Sequence, residues 1–170
     1  RHAACHLQDG LLAHADASGT QGTSHPTVGG WHDAGDYGKY VATAAVTIGR
    51  LLNLYELYPS MFPDRQLNIP ESGNGISDLL DEVRVEMEWL CSLQRDDGAV
   101  YRKVSGKSWP KKATPDQDDQ PRFVFGVSTP ETAKFAAVAA MSARIFQAID
   151  PEFAHACLIA GRRAWRYLAQ

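Results

Sequence analysis

The chain has 170 residues, 44% of them apolar, which is enough for one globular domain with its own core. Its 17 basic and 20 acidic residues are interspersed and give a net charge of −3, so nucleic acid and anionic membranes are not expected partners. No apolar run approaches the roughly 20 residues of a membrane span, and three distant cysteines, Cys5, Cys91 and Cys157, do not make a disulfide framework.

The first predicted helix lies in the first third of the chain. Apolar residues recur at helical spacing from Tyr37 to Tyr55, and Pro59 marks the end of the pattern. The stripe is widened by three more apolar residues: Val46, Leu54 and Leu57. We therefore expect a helix that is buried on most of its sides.

Three more helices are predicted from start signals. The second begins near Ser77, where several acidic residues suit the positive end of a helix dipole. The third follows Ser128, which stands at capping-box spacing from Glu131, and runs to about Ile149. Asp150, followed by proline and glutamate, opens a fourth helix that continues to the end of the chain.

Long loops connect these helices. They cover roughly residues 60–76 and 95–127, and the second holds a short hairpin around Val100–Val104. Long ordered loops on a helical scaffold commonly carry binding and catalytic residues. The predicted fold class is all-α, with paired antiparallel helices.

The segment GGWHDAGDYGKY at residues 29–40 contains the strongest candidate site. Asp33 and Asp36 lie three residues apart, and Asp36 stands just before the first predicted helix. One interpretation is a pair of turn and N-cap residues. The other is functional: the glycines allow close approach by a ligand, the helix N-terminus favours a charged Asp36, and two carboxylates can hold and deprotonate one water.

The segment GGWHDAGDYGKYV resembles the signature of the family 9 glycoside hydrolases. The resemblance continues through LLNLYELYP, IPESGNGISDLLDEVRVEMEWLCSLQRDDGAVYRKV and STPETAKFAAVAAMSARIF, and so spans nearly the whole chain. It implies an (α/α)6 barrel, of which residues 1–170 would supply about four of twelve helices. The chain would then be the N-terminal portion of a catalytic domain, incomplete at both ends.

The resemblance also implies a reaction and roles for individual residues. Family members hydrolyse β-1,4-glucosidic bonds with inversion; Asp36 matches the general base that activates water, and Asp33 its helper. The general acid is a late glutamate, which is expected beyond this chain. Flat side chains and a cation are expected at the β-glucan substrate: Trp31, Tyr37, Arg122 and Phe125. The resemblance further implies a secreted protein.

A metal site is implied at the start of the chain. By resemblance to family members with a preceding immunoglobulin-like domain, Cys5, His6 and His32 match three ligands of a structural zinc, with a fourth cysteine upstream. Taken alone, these residues fit equally well a buried free cysteine beside surface histidines, because three ligands do not close a zinc site. The expected partners within the polypeptide are that upstream domain and the downstream barrel helices.

The segment ESGNGISD at residues 71–78 leaves two interpretations open. Glu71, Asn74 and Asp78 offer oxygen ligands for calcium in a glycine-containing loop. The same pattern fits a tight turn followed by acidic residues at a helix start. A further acidic stretch, which includes Asp116, Asp118 and Asp119, is interpreted as a solvated loop.

Two other classes of function compete with a glycoside hydrolase. One is a metal-dependent phosphohydrolase of the HD type, in which a His-Asp dipeptide such as His32-Asp33 lies on a helix; the Ala-Gly-Asp-Tyr-Gly that follows argues against it. The other is a non-catalytic helical segment that binds carbohydrate or has a structural role only.

Overall fold

The computed structural model describes residues 3–111 and 113–170. Within them lie four α-helices: α1 Val41–Leu57, α2 Asp78–Ser92, α3 Thr129–Phe146 and α4 Pro151–Leu168. Four strands accompany them: β1 Leu11–Leu12, β2 Lys39–Tyr40, β3 Tyr101–Gly106 and β4 Arg122–Val127. Short 3-10 turns occupy Pro59–Met61 and Pro115–Gln117.

The strands form one sheet in the order β1-β4-β3-β2. β1 runs parallel to β4, while β3 pairs antiparallel with both β4 and β2. The expectation of an all-α chain was therefore incomplete, although four helices dominate the fold as predicted. The hairpin expected around Val100–Val104 exists in a larger form, since β3 pairs with β4 across a long connection.

The helices pack around a shared apolar core. α3 packs mainly on α4 and on α1, and α1 also contacts α2. Fully buried side chains from all four helices and the sheet meet there, among them Ile48, Trp89, Tyr101, Phe135 and Cys157. Their burial is the dominant stabilising contribution. None of the described helices is both long and apolar enough to cross a membrane.

The predicted helix starts are confirmed for α2, α3 and α4. Ser77 and Ser128 are the N-cap residues of α2 and α3, and the Asp150 carboxylate caps α4 by accepting a hydrogen bond from the Phe153 N–H at 3.0 Å. α3 ends at Phe146, slightly before the expected Ile149.

The first helix differs from its prediction in two ways. It begins at Val41 rather than Tyr37, because Tyr37 has a left-handed φ of 53° and the next residues pair with β3 as strand β2. It is also less enclosed than expected. Val46, Leu54 and Leu57 are 47%, 39% and 70% exposed, since no described element packs over that face.

Candidate active site

The loop that carries the two aspartates is held at both of its ends by buried cations. The Lys39 ammonium donates to the Gly29 carbonyl at 2.5 Å, and the Arg122 guanidinium donates to the Tyr37 carbonyl at 2.7 Å. Both cations pair with one carboxylate, Asp9, at 2.9 Å each. All three charged side chains are buried, so the pairing compensates their desolvation and ties residues 29–37 to the sheet.

Arg122 therefore has a different place from the one expected. Its side chain lies under the loop in the ion pair with Asp9, and the residue is only 5% exposed. The geometry favours a supporting role over contact with substrate. Sequence reasoning missed this group because its members are up to 113 residues apart and share no motif.

Each of the two aspartates has its own hydroxyl donor. The Thr43 hydroxyl donates to Asp33 Oδ1 at 2.5 Å, and the Tyr40 hydroxyl donates to Asp36 Oδ2 at 2.7 Å. The Gly38 N–H donates to Asp36 Oδ1 at 3.1 Å. Asp33 is exposed and Asp36 half-buried, so both carboxylates are oriented without being closed off.

The expected helix N-terminus does not account for the position of Asp36. The N-cap residue of α1 is Tyr40, and Asp36 lies four residues earlier in a turn. The Asp36 carboxylate is instead oriented by the hydrogen bonds that it accepts from the Tyr40 hydroxyl and the Gly38 N–H. Burial, followed by the bond to Asp36, raises the pKa of Tyr40 to about 12, which keeps its hydroxyl a donor at neutral pH.

A cleft of about 140 Å³ opens beside Asp33. It is lined by aromatic, hydroxyl and acidic side chains, including Trp31, Tyr40, Thr43 and Glu86. An indole face next to a carboxylate suits a sugar ring, because aromatic rings cover the apolar face of a sugar while polar groups meet its hydroxyls. Trp31 and Asp33 thus line the same cleft.

The other two expected substrate residues lie near the loop. The Tyr37 hydroxyl donates to the Ala113 carbonyl at 2.7 Å, and its ring lies 5.4 Å from the His32 ring, which links it to the histidines. The Phe125 ring lies 4.4 Å from the Lys103 ammonium, which also faces the Tyr40 ring at 5.3 Å. Lys103 therefore lies between Phe125 and Tyr40, the residue that donates a hydrogen bond to Asp36.

The three expected zinc ligands meet in space. One ligand atom each from Cys5, His6 and His32 lies within 4.8 Å of the others. His6 Nδ1 is 3.1 Å from His32 Nε2, and His6 Nε2 is 3.2 Å from the Asp118 carboxylate. Burial lowers the pKa of His6, which favours the neutral imidazole that binds metals.

Asp118 was expected in a solvated loop, and that expectation was wrong. Its side chain is only 5% exposed and reaches across 112 residues of sequence to His6. A carboxylate behind a ligating histidine fixes the tautomer and the orientation of the ring. The donor set, two imidazoles and a thiol with one supporting carboxylate, fits zinc.

The contacts around residues 64–81 favour a turn over a calcium site. The buried Asp78 carboxylate accepts hydrogen bonds from the N–H groups of Arg65 and Leu67, at 3.2 Å and 2.5 Å. The Asn74 amide donates to Asp81 at 3.1 Å, while Glu71 is exposed. Two of the three candidate ligands are thus engaged in holding the loop itself.

Comparison with known proteins identifies the family. Residues 1–170 match the model of glycosyl hydrolase family 9. The chain belongs to this family. Its predicted membership is confirmed, and the HD-type alternative is not supported, since His32-Asp33 lies in a loop and not on a helix.

Solved family 9 structures share this fold. A metagenome-derived family 9 endoglucanase matches with a TM-score of 0.97 and 54% identity, over 99% of this chain and 31% of that one. A zinc-binding triple mutant of the family 9 endoglucanase J30 matches with a TM-score of 0.93 and 44% identity, over 100% and 33%. These neighbours are (α/α)6 barrel proteins, and the four helices align with about a third of each.

A curated relative gives the same family assignment. Endoglucanase D of Acetivibrio thermocellus is 37% identical over 169 residues, which is 98% of this chain and 27% of the relative. The chain therefore spans about a quarter to a third of the length of these three proteins.

Proposed function

We propose that the protein containing this chain hydrolyses β-1,4-glucosidic bonds in cellulose or a related β-glucan with inversion of configuration. The observation that carries the proposal is the pair of hydroxyl-oriented carboxylates, Asp33 and Asp36, beside a cleft lined by Trp31. Family membership supports the substrate class, and the names of the relatives describe endoglucanases.

The chemistry assigns different work to the two aspartates. Asp36 is the general base: it accepts a proton from a water as that water attacks the anomeric carbon. Asp33 accepts the second hydrogen bond of the same water and fixes its direction. An inverting hydrolase also needs a carboxylic acid about 6.5–9.5 Å from the base, to protonate the leaving oxygen. That acid is proposed to be a glutamate outside this chain, supplied by downstream barrel helices.

Replacement of the base tests this function. Asp36→Asn in the complete protein should keep the fold and sugar binding while removing most hydrolysis of a soluble cellulose derivative, because an amide cannot accept the proton. Asp33→Asn should lower turnover substantially but less. An exposed acidic residue, Asp96, offers a matched control, and Asp96→Asn should leave turnover unchanged.

The result also separates the proposal from its alternative. Near-normal turnover by Asp36→Asn would contradict the assignment of the base. A complete protein that binds the glucan without cleaving it would favour the non-catalytic alternative.

An enzyme acting on an extracellular polymer must reach it, so we also propose that the protein is secreted.

We propose in addition that Cys5, His6 and His32 hold a structural zinc, completed by a cysteine that lies upstream of Arg1. Zinc stabilises the segment it binds by tying its ligands together. His32 directly precedes Asp33, so the metal would brace the candidate catalytic loop next to one of its two carboxylates. Asp118 would hold the His6 ring in its ligating orientation.

Two variants test the zinc. Protein that includes the upstream segment should carry about one zinc per chain, as a closed four-ligand site requires. Cys5→Ser should lower zinc content and thermal stability together. Asp118→Asn keeps every ligand and should weaken zinc affinity by about 10- to 100-fold, whereas the exposed neighbour Asp119→Asn should have no effect. Metal-free protein with unchanged melting would contradict the site.

A further inference from the structure

Glu86 on α2 is a buried carboxyl group to which the proposed chemistry assigns no role. The residue is 0% exposed. Its Oε2 accepts a hydrogen bond from the Trp31 N–H at 2.6 Å, while no donor reaches Oε1 within residues 3–111 and 113–170. Burial raises the pKa of Glu86 to about 7. A buried carboxyl group with one unpaired oxygen lowers the stability of the fold. An apolar residue could fill the same space without that cost, so packing alone does not explain a glutamate here.

The face of α2 that carries Glu86 lies directly against the candidate catalytic loop. Glu82, one turn earlier, accepts a hydrogen bond from the Trp31 indole N–H at 3.3 Å. Trp89, one turn later, packs so tightly on Gly30 that a Cβ there would lie 2.5 Å from the indole Cγ. Side chains at this spacing share one helix face. Three side chains on this face of α2 thus contact residues 30 and 31 and hold them in place.

Glu86 makes the one contact of the three that fixes the backbone by a hydrogen bond. The indole contact with Glu82 can be lost by a rotation of the Trp31 side chain, whereas the bond to Glu86 holds the main chain two residues before Asp33. Trp31, Asp33 and Glu86 also line the same cleft. A shift of the main chain at residue 31 would therefore move both the Trp31 indole ring and the Asp33 carboxylate.

We propose that Glu86 is a positioning residue that fixes the main chain at Trp31 and thereby holds both the indole ring and Asp33 in place for the substrate. This inference rests on the proposed function of Asp33 and Asp36. The role requires an oxygen acceptor at Oε2 and no transfer of a proton. Glutamine retains such an oxygen, whereas methionine has a similar shape without one.

The experiment compares Glu86→Gln with Glu86→Met in the complete protein. Hydrogen exchange of residues 29–37 and turnover of a soluble cellulose derivative are measured on each. Glu86→Met should speed exchange of the segment by up to about tenfold, the equivalent of one lost hydrogen bond, and lower kcat by about 10- to 100-fold. Glu86→Gln should stay within about threefold of the unaltered protein in both.

Matched controls come from the same helix. The Glu88 side chain is 57% exposed, and Glu88→Gln and Glu88→Met should leave both measurements unchanged. A Glu86→Gln protein that loses activity tenfold or more would overturn the inference, because the carboxylate itself would then be required. If Glu86→Met does not accumulate as folded protein, Glu86→Gln still tests the inference, because a loss of tenfold or more in that variant would overturn it.

Two further outcomes are distinct. Unchanged exchange and kcat in a folded Glu86→Met protein would also overturn the inference. Failure of the proposed function would instead appear as turnover by Asp36→Asn, whatever the exchange of residues 29–37 shows. The hydrogen-exchange measurement requires no hydrolysis and so tests the contact on its own.

Discussion

At the scale of single residues, the candidate site depends on two hydroxyl groups, each of which donates a hydrogen bond to one aspartate. Tyr40 and Thr43 each hold one aspartate, and both belong to the short stretch in which β2 passes into α1. Rigid elements hold catalytic groups more accurately than loops do. The two aspartates themselves lie on a loop, but their hydroxyl donors lie on β2 and α1.

Removal of the Tyr40 hydroxyl tests this arrangement. Tyr40→Phe keeps the ring beside Lys103 but takes one donor from Asp36. A hydrogen bond to a charged group contributes about 1.5–3 kcal/mol, so kcat for cellulose hydrolysis should fall by about 10- to 100-fold. Tyr58→Phe, at an exposed tyrosine, is the control. Unaltered kcat in Tyr40→Phe would show that Asp36 is oriented by other groups.

At the scale of elements, α4 is fastened to the turn that follows α2. The Gln94 amide donates to the Ala160 carbonyl at 3.0 Å, and the Arg163 guanidinium donates to the Arg95 carbonyl at 2.7 Å. Gly98 in this turn has a φ of 97°, and a Cβ there would lie 2.3 Å from the Arg163 carbonyl oxygen. Only glycine allows both this conformation and this approach.

Alanine substitutions at two glycines with similar backbone conformations distinguish the cost of backbone strain from the cost of a steric clash. Gly98→Ala should destabilise the protein by at least about 2 kcal/mol, because a left-handed alanine costs about 1–2 kcal/mol and α4 must also move. Gly75 has a φ of 88°, and a Cβ added there would meet no atom within 4 Å, so Gly75→Ala should show the conformational cost alone. Urea unfolding measures both. Equal losses would mean that α4 accommodates the methyl group.

The elements also show what a sequence can predict. α2, α3 and α4 were predicted because their start signals are local, as with Asp150 and Ser128. β1 and β2 were missed because each has two residues, and pairing of Lys39 with Val104 spans the loop, α1 and α2. The helical periodicity begins at Tyr37, but residues 39 and 40 pair with β3 instead, so α1 starts only at Val41.

The site was predictable to the extent that its residues fall in a motif. Asp33, Asp36 and the three candidate zinc ligands were found from the resemblance, and the structure brings the ligands together. Asp9, Glu86 and Asp118 were not found, because each contacts the loop or a candidate zinc ligand from a distant part of the chain. Supporting contacts of this kind depend on tertiary packing, which local patterns do not encode.

At the scale of the whole molecule, the arrangement of supports favours a particular stereochemical outcome. Asp33 and Asp36 lie on one short loop that is tied to the sheet by Asp9 and to α2 by Glu86. Two carboxylates on one side can orient a water, whereas a nucleophilic carboxylate works alone. An inverting reaction follows if the acid lies on the opposite side of the sugar.

The anomer released first decides between the two mechanisms. Direct attack by a water held between Asp33 and Asp36 must invert the anomeric carbon, so cleavage of a β-1,4-linked oligosaccharide yields the α-anomer. A nucleophilic Asp36 would form a glycosyl-enzyme and release the β-anomer. We expect proton NMR of cellooligosaccharide cleavage by the complete protein, recorded before mutarotation, to show the α-anomer first. Initial appearance of the β-anomer would exclude the assignment of Asp36 as general base, since a base that activates water cannot retain configuration in one step.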